Sequence, residues 1–298
     1  MRKTVAILIV FSLSAISAVG STRYVYTAAL SPNWEPTVYK IDIYEGRTLR
    51  KMKVNDEGAP MFIFAVTPSL ICFITEEGIA SNGTSARTPT AVKIYFLSAE
   101  DLKIQKVIAL TGWSCYDLVA QGVIRVFQGG WKRIYRFYRI GELSLQEISR
   151  PPALSDPGQP SPVSQPLLKR FKDEPGYPKD EIPLAFLPKR GVFVTLSHKL
   201  DEVNLRLLSV RNGLKDVGRI SLRLKDKAVR MPFENDSLTI EERYLVTVFE
   251  GASYLGHYSP SYVLILDLEN GKRRWVKIGS DPPIFKSITA PNEAYINK

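Results

Sequence analysis

Nucleophilic catalysis needs a base within hydrogen-bond reach of a serine or cysteine, and this 298-residue chain carries only two histidines, His198 and His257, and two cysteines, Cys72 and Cys115. Gly251-Ala252-Ser253 begins like a nucleophile elbow, but Leu255 stands where the second glycine belongs and the stretch reads as a β loop. Metal ligation has no better start. There is no paired-histidine motif, no cysteine cluster and no acidic calcium loop, and Asn235-Asp236 reads as a turn. Glycoside hydrolysis would need two carboxylates across a sugar bond. Asp117 is the main candidate in a strand-like segment, and Glu241 and Glu242 sit in a turn. The sequence therefore calls for no cofactor and no metal, and an enzyme is the weaker expectation.

The elements that would have to position any site recur. An apolar alternating strand, a tight turn and a more charged strand appear at 38–54, 92–109, 134–148, 205–222 and 263–278. Between them stands a second, more apolar hairpin, at 61–75, 116–127, 184–196, 237–249 and 285–297. Four strands per repeat over nearly the whole chain is the signature of a β-propeller. The turns at Gly46, Glu100, Gly141, Gly213 and Gly271 set a repeat of about 56 residues. The expected fold is all-β, a propeller of five four-stranded blades, with six or seven as the alternatives. Residues 22–30 match the second strand of a blade and 285–289 a first strand, so the N- and C-terminal strands are expected to pair and close the ring.

VYKIDIYEGRT (38–48) and VLILDLENGKRRW (263–275) carry a resemblance. In repeat texture the chain resembles the broad propeller group of YVTN-type repeat proteins and quinoprotein amine dehydrogenase heavy subunits. That resemblance implies a scaffold whose chemistry, where there is any, belongs to a partner, and it transfers no functional residue.

The tight turns leave one end of the repeats bare, and the long connections gather at the other, where function in a rigid β scaffold usually sits. The candidate binding residues there are Trp34, Arg87, Trp113, Arg230, His257 and Tyr258, an aromatic and cationic mixture of the kind enriched in interfaces. Packed aromatics and ordinary loop residues are the plainer account of each taken singly. The longest connection, 150–183, holds nine prolines and reads as an extended, poorly packed insertion, either a lid or partner arm or a solvated linker.

Residues 1–20 have the charged start, apolar stretch and small-residue end of a signal peptide, which leaves 21–298 as a single propeller domain. The expected location is secreted or periplasmic, with no membrane span after cleavage. Loss of Arg2 and Lys3 lowers the net charge from +10 to +8, which favours a protein or an anionic envelope or extracellular ligand as partner. Solvated charges that guard strand edges explain the same residues. No nucleic-acid motif is present. Cys72 and Cys115 either pair in an exported chain or stay as small core residues. The expectation is an exported binding or scaffold protein, with a propeller-type glycosidase or other carbohydrate-active enzyme as the alternative.

Overall fold

The computed structural model describes residues 23–30, 35–54, 58–79, 86–120, 122–128, 134–152, 154, 166–199, 202–211, 213–222, 229–230, 232, 237–251, 253–254, 257–258, 260–279 and 288–289. These form five antiparallel sheets of four or five strands and one two-stranded ribbon. Sheet I has the order β23 (Ile288–Thr289), β1 (Tyr24–Leu30), β2 (Pro36–Asp42), β3 (Arg47–Lys53). Sheet II runs β4 (Ala59–Thr67), β5 (Leu70–Ile79), β6 (Ala86–Ser98), β7 (Ile104–Thr111). Sheet III runs β8 (Ser114–Ala120), β9 (Val123–Gln128), β10 (Ile134–Gly141), β11 (Ser144–Ile148). The helix α1 (Pro166–Lys172) precedes sheet IV, which runs β12 (Glu181–Leu187), β13 (Val192–Lys199), β14 (Glu202–Ser209), β15 (Lys215–Leu222). Sheet V sets β17 (Ser237–Ile240) against β18 (Tyr244–Gly251), then β21 (Ser261–Asp267) and β22 (Arg273–Ile278). The short β16 (Val229–Arg230) pairs the far end of β18, and β19 (Ser253–Tyr254) pairs β20 (His257–Tyr258).

This is a propeller-like arrangement, and a local device repeats it. In sheets I and V the third strand ends in an aspartate whose Oδ1 accepts backbone N–H bonds from the turn: Tyr44 and Glu45 give to Asp42 at 2.9 and 3.0 Å, and Glu269 gives to Asp267 at 2.9 Å. The arginine ahead of the second strand donates to the other oxygen, Arg23 to Asp42 at 2.6 Å and Arg243 to Asp267 at 3.0 Å. Four residues on, Gly46 and Gly271 take φ of 66° and 71° and donate back to the aspartate carbonyls. Ser98 and Ser209 hold the outer turns of sheets II and IV in the same way, more weakly, accepting from Glu100 and Arg211.

The third strands of sheets I and V are buried and the fourth strands of sheets I and II exposed, so the apolar character of one and the charge of the other follow from position in the sheet, whereas the third strand of sheet III, β10, is exposed at Ile134, Arg136 and Arg139. Apolar clusters join sheet to sheet: V to I through Ile240, Val246 and Ile41, I to II through Val38 and Phe73, II to III through Cys72, Ile94 and Ile124, and IV to V through Leu196 and Phe249. Sheets III and IV differ. Among the described residues each has a cluster of its own on that side, closed by parts of the insertion: Leu154 covers Val119, Val123 and Phe137, while Leu167 and Phe171 cover Phe186, Phe193 and Leu208.

The insertion is thus packed where it is described, contrary to the reading of 150–183 as poorly packed. Leu154 is 2% exposed and Phe171 is wholly buried. Proline content argues for extended backbone, but Pro166 opens the helix α1, and the prolines say nothing of the Leu and Phe side chains between them. The long connections are also shorter than expected: β5 and β6 take up 76–79 and 86–90, and β19 and β20 lie within 250–261. The expected first strand at 285–289 is described only as Ile288 and Thr289, which pair with Thr27 and Tyr26. The segment 1–22 and residues 290–298 lie outside the described residues.

Candidate functional site

The register of sheet III, Ser114 opposite Phe127 and Gln128 opposite Ile134, gathers the start of β8, the end of β9 and the start of β10 at one end of the sheet. Trp113 leads into that end. It is half-buried against the core between sheets II and III, and the Arg136 guanidinium lies 4.9 Å from its ring centroid. The pair is a cation–π contact at the border of core and solvent.

On the opposite flank a β-bulge between Cys115 and Asp117 inserts Tyr116 as an extra residue in β8. Such a bulge re-aims side chains, and here it sets both Tyr116 and Asp117 beside Arg125 of β9. Arg125 is wholly buried. Its Nε donates to Asp117 Oδ1 at 2.9 Å and its Nη2 to Oδ2 at 2.5 Å, a bidentate pair. The guanidinium stands 4.3 Å from the Tyr116 centroid and 5.9 Å from that of Tyr135. Tyr116, Phe127 and Tyr135 close on one another at 5.7 to 6.2 Å, with Tyr116 edge-on to both partners. All three rings are half-buried, so the cluster offers aromatic surface over a fixed positive charge.

The five first strands make contacts between sheets IV and V, V and I, and I and II. Among the described residues they carry two carboxylates, Asp117 and Glu181, and neither stands unpaired. Glu181 receives Arg206 and the Thr195 hydroxyl, and Arg206 also donates to Asp216 at 3.0 Å. One more buried carboxyl lies nearby. Glu76 at the end of β5 accepts the Cys115 N–H at 2.9 Å, and burial pushes it above the ordinary carboxylate range despite that bond and one from Ser114.

Of the expected binding residues, Trp34 lies outside the described residues. Arg87 falls in β6, Arg230 in β16, and His257 and Tyr258 in β20, with the backbone described and the side chains not. β16 pairs Glu250 and Gly251 at the far end of β18, and β19 and β20 follow directly, so the backbones of Arg230, His257 and Tyr258 share one end of sheet V. Trp113 is packed rather than free-standing. Tyr116, Arg125, Phe127 and Tyr135 escaped the sequence reading, because their convergence depends on a one-residue bulge that no spacing betrays. Cys72 and Cys115 are free thiols in one core cluster, and burial pushes both thiols up. Among the described residues no three His, Cys, Asp or Glu form a metal-binding group, and no helix is long and apolar enough to cross a membrane.

No family model and no curated protein matches the chain. Among solved structures it is similar to a putative 6-phosphogluconolactonase from Bacteroides uniformis, at 7% identity and a TM-score of 0.39, covering 90% of this chain and 99% of that one. Apo AztD from Citrobacter koseri matches at 11% identity and a TM-score of 0.34, covering 90% and 97%. A protein of unknown function from Bacteroides caccae matches at 12% and 0.27, covering 85% and 73%. The activities those names carry stay with those proteins; this chain is, on its own sheets, an all-β protein with a propeller-like fold.

Proposed function

We propose that this is an exported binding or scaffold propeller of five blades, which holds a protein or anionic extracellular ligand at the end of the sheets where the longer connections lie. One observation carries the binding reading. The half-buried rings of Tyr116, Phe127 and Tyr135 stand over a buried arginine at that end, while the two inner-strand carboxylates are tied up by arginines rather than poised for acid and base work. Five sheets of similar build, with Ile288 and Thr289 pairing β1, support a ring of five closed by its two ends. The test is capture of partner from the native envelope or medium by the mature protein. Tyr116→Leu with Tyr135→Leu is expected to weaken capture at least tenfold while Lys189→Ala with Arg190→Ala, at the opposite end, leaves it unchanged; equal loss from both pairs would sink the assignment. The rival reading, a carbohydrate-active enzyme, draws on Asp117 and Glu181 lying on successive inner strands. Turnover of a glycoside that Asp117→Asn abolishes would replace the binding reading.

A further inference from the structure

The inner turn of sheet V breaks a local rule. Glu241 and Glu242 take φ of 54° and 52°, and Arg243 N–H donates to Ile240 C=O at 3.0 Å, a mirror-image β-turn of the kind that ordinarily uses Asn-Gly, set in a three-residue loop between Ile240 and Tyr244. Two glutamates in the left-handed region are strained, and such strain persists where the surroundings require the side chain. Glu242 shows that requirement. It is 3% exposed, and its Oε1 accepts the backbone N–H of Lys189 at 3.0 Å, in the inner turn of sheet IV. Its other oxygen, Oε2, is enclosed and has no hydrogen-bond partner among the described residues. A buried carboxylate oxygen without a donor is costly, so the chain has given up an easy turn to bury a group that its own atoms leave half satisfied.

We propose that Glu242 Oε2 is a ligand of one monovalent metal cation, sodium or potassium, held between the inner turns of sheets IV and V. The charge sets the valence: one carboxylate neutralises one positive charge, whereas a divalent ion would leave net charge beside Leu187 and Ile240, which are 1% and 0% exposed. Backbone carbonyls of the two turns, such as those of Leu187, Pro188 and Ile240, each accept one hydrogen bond and keep a second lone pair, the kind of neutral oxygen that completes such a shell. The site lies at the end of the sheets opposite the aromatic cluster and is independent of the binding reading.

Thermal unfolding in sodium, potassium and choline chloride at equal ionic strength tests it, with calcium and magnesium as further arms. Sodium or potassium is expected to raise the wild-type Tm by several degrees over choline. Glu242→Gln, which keeps an oxygen to accept the Lys189 N–H, is expected to lose that difference. A wild-type Tm indifferent to the cation overturns the proposal whether or not the variant folds, as does an equal response in Glu242→Gln, or stabilisation by divalent ions alone.

Discussion

Glu76 shows how a single buried side chain ties the pH response of the molecule to one contact between sheets. Burial holds its folded pKa above the ordinary 4.5, with the Cys115 N–H and the Ser114 hydroxyl opposing. For a carboxyl shifted upward, the stabilising contribution is complete below the unfolded value and is lost as pH rises through the folded one. Glu76→Gln keeps an acceptor for the Cys115 N–H and removes the charge. The variant is therefore expected to gain Tm relative to wild type as pH is raised from about 4 towards neutral, and parallel Tm profiles over that range would refute the assignment. Arg125 follows a different logic: it is buried at no exposure, but a carboxylate and two rings compensate it on the spot.

At the scale of elements, the basic composition acquires a structural use. Lys40 of β2 donates to Ala99 and Glu100 carbonyls in sheet II, Lys106 of β7 to the Leu143 carbonyl in sheet III, and Arg273 of β22 to the Ser221 carbonyl in sheet IV. These cations join one sheet to the next through uncharged acceptors, so each adds positive charge without calling for an acid. Burial lowers the Lys40 pKa, and the Tyr24 ring 4.5 Å away takes up part of the lost hydration. The helix α1 instead covers one face of sheet IV. Phe171 meets Phe193 edge-on at 5.1 Å and Tyr177 at 6.1 Å, and Arg170 lies 3.7 Å over Phe186. Phe171→Ala is expected to cost about 3 kcal/mol in denaturant unfolding, as core aromatics do. A loss under about 1 kcal/mol, the range of surface changes, would mean that α1 is an ornament on sheet IV rather than part of its core.

For the whole molecule the question is how five sheets stay together. Four seams carry apolar clusters with residues from both sheets, and sheet I draws on both ends of the chain. Deletion of residues 284–298 removes the strand that pairs with Tyr26 and Thr27. An inner strand edge would then be open to other chains. The truncated protein is expected to aggregate or unfold without cooperativity, as seen in sedimentation and calorimetry; a monomer with an unchanged Tm would show that the ends are dispensable and would remove the support for ring closure.

The repeating hairpins, their turns and their exposed fourth strands were legible in the sequence because they are local: alternation sets the faces of a strand, and an aspartate or serine with a following glycine sets a turn. Asp42 with Gly46 and Asp267 with Gly271 spell that device within five residues. What the tertiary structure decided is non-local. The bulge at Tyr116 sets that ring and a carboxylate beside Arg125, where Tyr135 joins them, the leucines and phenylalanine of a proline-rich segment fill the faces of two different sheets, and Glu242 meets Lys189 across 53 positions of chain. No periodicity records such meetings, since they depend on the register of one strand against another and on the packing of sheet against sheet.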